Sequence, residues 1–309
     1  MTEWPKGSVV ALAGGVGGAR LVDGLDRVLP GGALRIVLNT GDDFRHWGLH
    51  ISPDLDTVMY TLAGLSPQDR GWGIDGDTFH TLAEAERRGD ESWFRLGDRD
   101  LVTHLRRSEA LARGQSLTEA TQRIARSLGV ERELLPMSDR PRPTRVRTRD
   151  QHTLSFQDWL VRARAAPAVE AIDLGGPGPP APSALAALAD AKLVVICPSN
   201  PFVSIEPSLA LEGVRDALAS TNTIAVSPIL GGSAVKGPLA SMITELRDVS
   251  ASAEAVAKCY DGLIDAYVVH DGDAFDAPYP VLETNILIPS TEDRVRLARE
   301  VLDFARDRE

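Results

Sequence analysis

The chain has 309 residues, of which 43% are hydrophobic and 25% charged, so it can bury one large core or two modest ones. Its formal net charge of -11 argues against general binding to nucleic acid or to anionic membranes, because phosphate surfaces demand clustered Lys and Arg. Two distant cysteines, no apolar run of membrane-spanning length and no signal-peptide core lead us to expect a soluble, cytoplasmic protein.

Two strand–turn–helix units extend through Leu65. Residues Val9 to Ala13 form an apolar run that enters "GGVGGAR" and then a segment with apolar residues at helical spacing. A second β-rich run, Ala33 to Asn39, ends at a group of aspartates. Such units predict an α/β fold with a Rossmann-like, doubly wound, mostly parallel sheet, and ligands at the carboxyl ends of its strands.

The middle of the chain has a different pattern. Residues 68–134 contain "DTFHTLAEAERRG", "LVTHLRRSEALARG" and "SLTEATQRIARSLG", which pair polar faces with spaced apolar residues. We interpret them as a helical insertion, or subdomain, within a single domain that spans 1–309. A β-rich return containing "HTLSFQDWLV" follows, and the sheet pattern then resumes with the runs "KLVVICPSNP", "NTIAVSPILGG", "LIDAYVVHDGD" and "VLETNILIPS".

The turn after the first strand contains the glycines Gly14, Gly15, Gly17 and Gly18. Glycines let the backbone approach an anion closely, and the following helix directs N–H groups at it. The turn matches neither the spaced dinucleotide fingerprint nor the phosphate loop, because Arg20 follows where that loop has Lys. A tight turn without a ligand is therefore an alternative.

Four aspartates crowd into the segment after the second strand: Asp42, Asp43, Asp54 and Asp56. Close carboxylates repel one another unless a cation lies between them. One or two carboxylates completed by waters and substrate phosphates are the usual ligands of Mg²⁺. In the alternative interpretation, Asp54 caps the helix that begins near Pro53, and Asp56 stabilises its first turn.

Two further segments offer polar groups. Arg95 precedes a helix in "WFRLGDRDLVTHLRRS", where it can bind a phosphate or belong to a solvated run of charges. Ser199, Asn200 and Pro201 follow an apolar strand, where they can contact a ligand or simply form a turn. The histidine spacing and the absence of a G-x-S-x-G motif give little support to a zinc site or a covalent hydrolase.

Eight blocks in order give a resemblance to a known family: "GGVGGAR", "NTGDDFRHWGLHISPDLDTVMYTLAG", "GWGIDGDTF", "RLGDRDLVTHLRR", "LPMSD", "SFQDWLVRAR", "PSNPFVSIEP" and "VSPILGG". Together they resemble the 2-phospho-L-lactate transferase family of coenzyme F420 biosynthesis, in its bacterial phosphoenolpyruvate transferase branch. The resemblance implies a magnesium-dependent transfer of a phosphorylated three-carbon acid unit (enolpyruvyl, lactyl or glyceryl phosphate) from its guanosine diphosphate-activated donor. The acceptor would be the ribityl hydroxyl of the deazaflavin Fo, with GMP released and (dehydro-)F420-0 formed.

The resemblance also implies roles for residues and a homodimeric assembly. It makes Asp42 and Asp54 the Mg²⁺ ligands with Asp43 in support, and it places Asp56 and Arg95 at Fo. Asp42, Asp54 and Asp56 would be the catalytic residues. Some family members carry Lys where this chain has Arg95, which keeps the charge but loses the planar fork. The guanylated donor would contact Gly14, Gly15, Gly17, Gly18, Arg20, Ser199, Asn200 and Pro201.

Two other functions fit parts of the pattern. A non-catalytic regulatory protein that binds nucleotide sugars would share the fold and the glycine turn, without needing the paired aspartates. A generic nucleotidyl- or glycosyltransferase would use the same glycine turn and Asp pairs with a nucleoside diphosphate donor. Binding of a fluorescent deazaflavin would distinguish the resemblance from both.

Overall fold

The computed structural model describes residues 4–235 and 237–307, and its elements alternate as the sequence predicts. The strands are β1 (Val9–Ala13), β2 (Leu34–Leu38), β3 (Phe44–His46), β4 (Leu49–Ile51), β5 (Glu133–Pro136), β6 (Arg145–Thr148), β7 (Thr153–Ser155), β8 (Val169–Asp173), β9 (Leu193–Ile196), β10 (Asn222–Val226), β11 (Ile229–Leu230), β12 (Ser233–Ala234), β13 (Ala266–Val269) and β14 (Val281–Glu283). The α-helices are α1 (Gly15–Val28), α2 (Pro53–Leu62), α3 (His80–Arg87), α4 (Asp100–Ala112), α5 (Leu117–Ser127), α6 (Pro182–Ala189), α7 (Glu206–Leu209), α8 (Val214–Ala219), α9 (Leu239–Arg247), α10 (Ala253–Ala257) and α11 (Thr291–Arg306).

The main sheet has seven parallel strands in the order β5-β2-β1-β9-β10-β13-β14. From β1 the chain builds outward through β2 to β5, then crosses back to β9 and builds outward in the other direction. This reversal defines a doubly wound sheet and places a crevice outside the carboxyl ends of β1 and β9. The predicted α/β, Rossmann-like fold is confirmed.

Both faces of the sheet are buried. Along β1, Val10 and Leu12 join one apolar cluster, whereas Val9, Ala11 and Ala13 join the cluster on the other face. Alternate side chains of a strand point to opposite faces, so helices must cover the sheet on both sides. This explains why the central strands have continuous apolar sequences.

The irregular parts of the chain surround this sheet. The range 68–134, predicted as a helical insertion, contains α3, α4 and α5, of which α5 contributes Leu117 and Ile124 to the apolar cluster that includes β2. The predicted β-rich segment "HTLSFQDWLV" is a strand only at Thr153–Ser155, because the chain then forms a π-helical turn over Asp158–Arg162. Within residues 4–235 and 237–307, each helix is too short or too polar to cross a bilayer.

Helix α1 is fixed against α11, which keeps its first turn at the crevice. The buried guanidinium of Arg294 on α11 donates to Asp23 on α1, with 3.0 Å between Nη1 and Oδ2. Next to this pair, a Cβ at Gly24 would lie 2.2 Å from the carbonyl oxygen of Arg294. The two helices therefore approach more closely than any side chain at Gly24 would allow.

We expect Gly24→Ala to lower the free energy of unfolding by about 1–3 kcal/mol, because the methyl group must push α11 away from α1. Urea denaturation followed by circular dichroism measures this change. The matched control is Gly31→Ala, since a Cβ at Gly31 meets no atom within 4 Å. Equal stability of the two variants would contradict the close approach of the helices.

Candidate active site

The site begins where the two central strands end. Ser199, which follows β9, accepts a hydrogen bond on Oγ from the N–H of Gly14 (3.1 Å) and donates to the Gly14 carbonyl (2.8 Å). Because Gly14 directly follows β1, one buried hydroxyl joins both carboxyl ends at the point where the sheet reverses its winding. The glycine turn and the Ser199 turn, both predicted to contact the guanylated donor, therefore lie side by side, and the contact with the donor stays a prediction.

Close packing requires glycine in the turn. A Cβ at Gly14 would lie 2.4 Å from Oδ2 of Asp54, and a Cβ at Gly17 would lie 2.4 Å from the carbonyl oxygen of Pro198. Tight packing thus accounts for these glycines even without a ligand. The turn also leads into the fourteen-residue helix α1, whose free N–H groups give its first turn a partial positive charge.

Asp54 connects this turn with the neighbouring strand. It lies in the first turn of α2, buried, and its Oδ1 accepts from the N–H of Gly15 (2.7 Å). Its Oδ2 accepts from Nδ2 of Asn39, which follows β2 (2.9 Å). The N-cap position of α2 is occupied by Ser52, so Asp54 does not fill the capping position of the alternative interpretation.

Asp42 lies beside Asp54, and the two carboxylates share one amide. Nδ2 of Asn39 is 3.5 Å from Oδ1 of Asp42, and it also donates to the carbonyl of Val203 (3.2 Å). On the other side, Nε2 of Gln157 donates to Oδ2 of Asp42 (3.1 Å). Sequence analysis did not assign Asn39 or Gln157 to the site, although the position of Asn39 at the end of β2 was a usable signal.

Burial and mutual repulsion make the two carboxyl groups unusual. Burial, with the nearby charges of Asp54 and Asp43, raises the pKa of Asp42 well above its ordinary value. Burial also raises the pKa of Asp54 to about 6, although the hydrogen bonds from Asn39 and Gly15 favour its ionised form. Two ionised carboxylates in such surroundings are stabilised when a cation lies next to both.

The chemistry of the pair suits Mg²⁺, whose binding here stays a prediction. Among residues 4–235 and 237–307, no group of three or more His, Cys, Asp and Glu side chains converges as a complete metal site. Mg²⁺ commonly needs only one or two carboxylates, because waters and substrate phosphates complete its octahedron. Asp42 and Asp54 would supply these two ligands.

Asp43 occupies a different environment from the pair. Its Oδ2 accepts from the hydroxyl of Ser52 (2.9 Å) and lies 2.8 Å from Nε2 of His50, whereas Oδ1 is buried without a hydrogen bond among the described atoms. Burial raises its pKa, against the opposing effect of His50. Asp43 therefore adds negative charge near Asp42, as a supporting role requires, while its direct contact with a metal stays a prediction.

Asp56 is held by a buried guanidinium from α4. Nη1 of Arg107 donates to its Oδ2 (3.0 Å) and Nη2 donates to its Oδ1, so both oxygens are engaged. The sequence analysis did not identify Arg107 as a partner. Both oxygens keep a second lone pair, which can accept a hydrogen bond from a ligand.

A cavity of about 730 Å³ brings most of the predicted residues together. Its aromatic wall includes Tyr60, Trp93, Phe94 and Phe156. Arg95 reaches the cavity with an exposed side chain, and its guanidinium carbon lies 4.5 Å from the ring centre of Phe79. Gly18, Asp43 and Pro201 stand outside the lining. The predicted residues in the lining are Gly14, Gly15, Gly17, Arg20, Asp42, Asp54, Asp56, Arg95, Ser199 and Asn200.

We expect Asn39→Asp to lower the free energy of unfolding by about 1–3 kcal/mol, because a third buried carboxylate replaces the amide donor between Asp42 and Asp54. Urea titration without divalent cations measures this change. The matched control is Asn285→Asp: Asn285 is exposed, its Oδ1 accepts from the N–H of Leu287, and its side-chain amide N–H has no partner among the described residues. If Asn39→Asp were as stable as the wild type, the role of this amide as a donor between Asp42 and Asp54 would be contradicted.

Comparison with known proteins agrees with the resemblance in the sequence. Residues 9–285 match the family described as 2-phospho-L-lactate transferase CofD. A 2-phospho-L-lactate transferase of Methanospirillum hungatei is 37% identical over 298 residues, which cover 95% of this chain and 99% of that protein. A phosphoenolpyruvate transferase of Kitasatospora aureofaciens is 42% identical over 278 residues, covering 86% of this chain and 85% of that protein.

The fold is also found among solved structures. A UPF0052 family member from Bacillus halodurans superposes with a TM-score of 0.62 at 14% sequence identity, covering 96% of this chain and 99% of that one. At this identity the similarity concerns the fold alone. The family match over most of the chain and the two relatives, each above 30% identity, show that this chain belongs to the 2-phospho-L-lactate transferase (CofD) family.

Proposed function

We propose that this protein transfers a phosphorylated three-carbon acid unit from its guanosine diphosphate-activated donor to the ribityl hydroxyl of the deazaflavin Fo. The reaction releases GMP and forms F420-0 or its dehydro form. The observation that carries this proposal is the buried Asp42–Asp54 pair, which contacts the glycine turn through Asp54 and lines the same cavity as the aromatic residues. The names of the relatives, which specify phospholactate or phosphoenolpyruvate transfer, support it.

The donor would lie across the carboxyl ends of β1 and β9. The first turn of α1, together with Arg20, would bind the diphosphate, because N–H groups and a guanidinium both favour phosphate oxygens. Asp42 and Asp54 would hold Mg²⁺, which neutralises charge on the phosphate oxygens when bound. Asn39 keeps the two carboxylates in place through its shared amide.

The acceptor would lie between this pair and the aromatic wall. Its flat ring system suits the rings of Trp93 and Phe94, which meet at 73° with centroids 5.7 Å apart. Asp56 would accept a hydrogen bond from the ribityl hydroxyl, and Arg95 would contact the same ligand. A bond forms between the hydroxyl oxygen and the phosphorus of the three-carbon unit, and the bond from that phosphorus to the bridging oxygen breaks. GMP leaves with this oxygen and the electron pair, and the hydroxyl proton passes to solvent.

Positioning and charge neutralisation would provide most of the catalysis. Phosphoryl transfer needs reacting groups held in line and negative charge balanced, without a covalent nucleophile. The helix terminus and Arg20, with a cation held by the two buried carboxylates, would meet these needs within one cavity. The enolpyruvyl donor is the form we expect first, and we retain a cytoplasmic homodimer as part of the proposal.

The non-catalytic nucleotide-binding alternative leaves the paired aspartates unexplained. Burial raises the pKa of both Asp42 and Asp54 in the folded protein. Ionising these two carboxyl groups at neutral pH therefore lowers the free energy of unfolding. A site that binds only a nucleotide gains nothing from this arrangement. A site that needs a divalent cation beside a phosphate does.

The test of the function is an assay with Fo, Mg²⁺ and each guanylated donor in turn, read by the mass of the deazaflavin product. We expect a phosphorylated three-carbon adduct, and its mass identifies the donor. Absence of an adduct with all three donors, together with no change in Fo fluorescence on adding protein, would reject the transferase and favour the nucleotide-binding alternative.

We expect Asp42→Asn and Asp54→Asn each to lower Mg²⁺-dependent turnover by at least about 100-fold, because each removes a ligand charge at nearly constant volume. Turnover is measured at saturating donor and Fo. The matched control is Asp261→Asn, which removes an exposed carboxylate away from the cavity lining. Wild-type turnover in either site variant would remove that aspartate from the proposal.

A stability measurement separates loss of chemistry from loss of fold. Asp42→Asn is expected to unfold at the same or a higher urea concentration than the wild type at pH 7, without divalent cations. The pKa of Asp42 is raised in the folded protein, so ionisation of this group opposes folding once the pH exceeds the ordinary pKa of an aspartate. Asn does not ionise and avoids this loss of stability. A marked loss of stability would assign the aspartate a structural role instead.

A further inference from the structure

Five polar side chains, four of them buried and Asp100 partly exposed, form a seam between α2 and α4. On α2, Asp56 and Tyr60 are one turn apart, and on α4, Asp100, His104 and Arg107 follow at helical spacing. The Tyr60 hydroxyl donates a hydrogen bond to Oδ1 of Asp100 (2.6 Å), and the same oxygen lies 3.2 Å from Nε2 of His104. We call these five residues the α2–α4 polar seam.

The seam has a side that faces the cavity and a side that does not. Asp56, Tyr60, Asp100 and His104 all line the cavity, whereas the Arg107 side chain has no exposed surface and stands outside the lining. Arg107 reaches Asp56 from behind, through both of its terminal nitrogens. It also approaches His104, with 3.4 Å between Nη1 and Nδ1.

This arrangement is costly if its role is only to hold two helices together. Removing two charges from water costs free energy, and their mutual attraction often fails to offset this cost. Apolar residues of similar volume often give a folded protein of equal stability. Arg107 also leaves its Nε without a hydrogen-bond partner among the described atoms. Orientation of the carboxylate is the property that a guanidinium supplies and apolar packing does not.

The fork of Arg107 fixes the plane of the Asp56 carboxylate. Two parallel N–H donors matched to two oxygens prevent rotation of that group, and a single ammonium donor cannot do so. The second lone pair of each oxygen is then held at a set angle toward the cavity. An acceptor hydroxyl in the cavity would meet a carboxylate of fixed orientation.

We propose that Arg107 is a positioning residue, which sets Asp56 at the angle needed to bind and orient the acceptor hydroxyl. The inference rests on the proposed function, because it assigns the acceptor to the cavity wall formed by Asp56. It gives helix α4 an indirect part in the reaction, through the orientation of Asp56. Helix α4 supplies the group that orients a side chain of α2.

The test is steady-state kinetics of Arg107→Lys, which keeps the charge and loses the fork. We expect KM for the acceptor Fo to rise about 10- to 100-fold, so that kcat/KM for Fo falls accordingly, with KM for the guanylated donor unchanged within about twofold. A purely structural role would reduce the amount of active enzyme and leave both KM values at the wild-type level. The rise in acceptor KM at constant donor KM is thus the decisive result.

A second buried ion pair supplies the matched control. Arg294 is buried, donates to Asp23 and also leaves its Nε without a partner among the described atoms, but it lies between α1 and α11. Arg294→Lys is expected to lower stability while keeping both KM values of the wild type. If Arg107→Lys behaves like Arg294→Lys, Arg107 is structural and the inference fails.

A double variant keeps the test valid if Arg107→Lys folds poorly. Asp56→Asn with Arg107→Met removes both charges, so it avoids an unpaired buried charge, and we expect it to fold. It should bind the donor as the wild type does and bind Fo more weakly, measured by Fo fluorescence. If this variant binds Fo as tightly as the wild type does, the inference is overturned. If the wild-type protein itself shows no turnover with any of the donors, the proposed function is rejected instead.

Discussion

The Asp54 carboxylate is the interaction on which the site depends. One oxygen accepts from the turn that follows β1 and the other from Asn39 at the end of β2, so a residue of α2 ties two strand ends together. The packing of Gly14 against the same carboxylate leaves no room for a side chain. A charged group that organises the crevice and still faces the cavity can serve structure and chemistry at once.

The molecule keeps charge in places where apolar packing would be more stable. Asp42 and Asp54 share a single amide donor in buried surroundings, and burial raises the pKa of both groups. Asp56 is buried as well, but a guanidinium balances its charge. Among the described residues, the Asp42–Asp54 pair has no guanidinium to balance its charge, whereas Asp56 has one. The proposed site, with a cation beside an oriented acceptor, would need both arrangements.

The doubly wound sheet explains why residues far apart in the chain converge. The strand order changes direction between β1 and β9, so the turns after these strands meet across one crevice, as the hydrogen bonds between Gly14 and Ser199 record. The cavity then extends from this point to the aromatic residues near α4.

The fold class could be predicted from the amino-acid sequence, since apolar runs followed by helical spacing indicate strands and helices that cover both faces of a sheet. The sequence also identified the glycine turn and the aspartates, because their motifs are contiguous. Only the tertiary structure showed that Gln157 reaches Asp42 and that Arg107 reaches Asp56, contacts that join residues 115 and 51 positions apart. Local periodicity carries no information about such pairs, because chain crossing and helix packing bring them together.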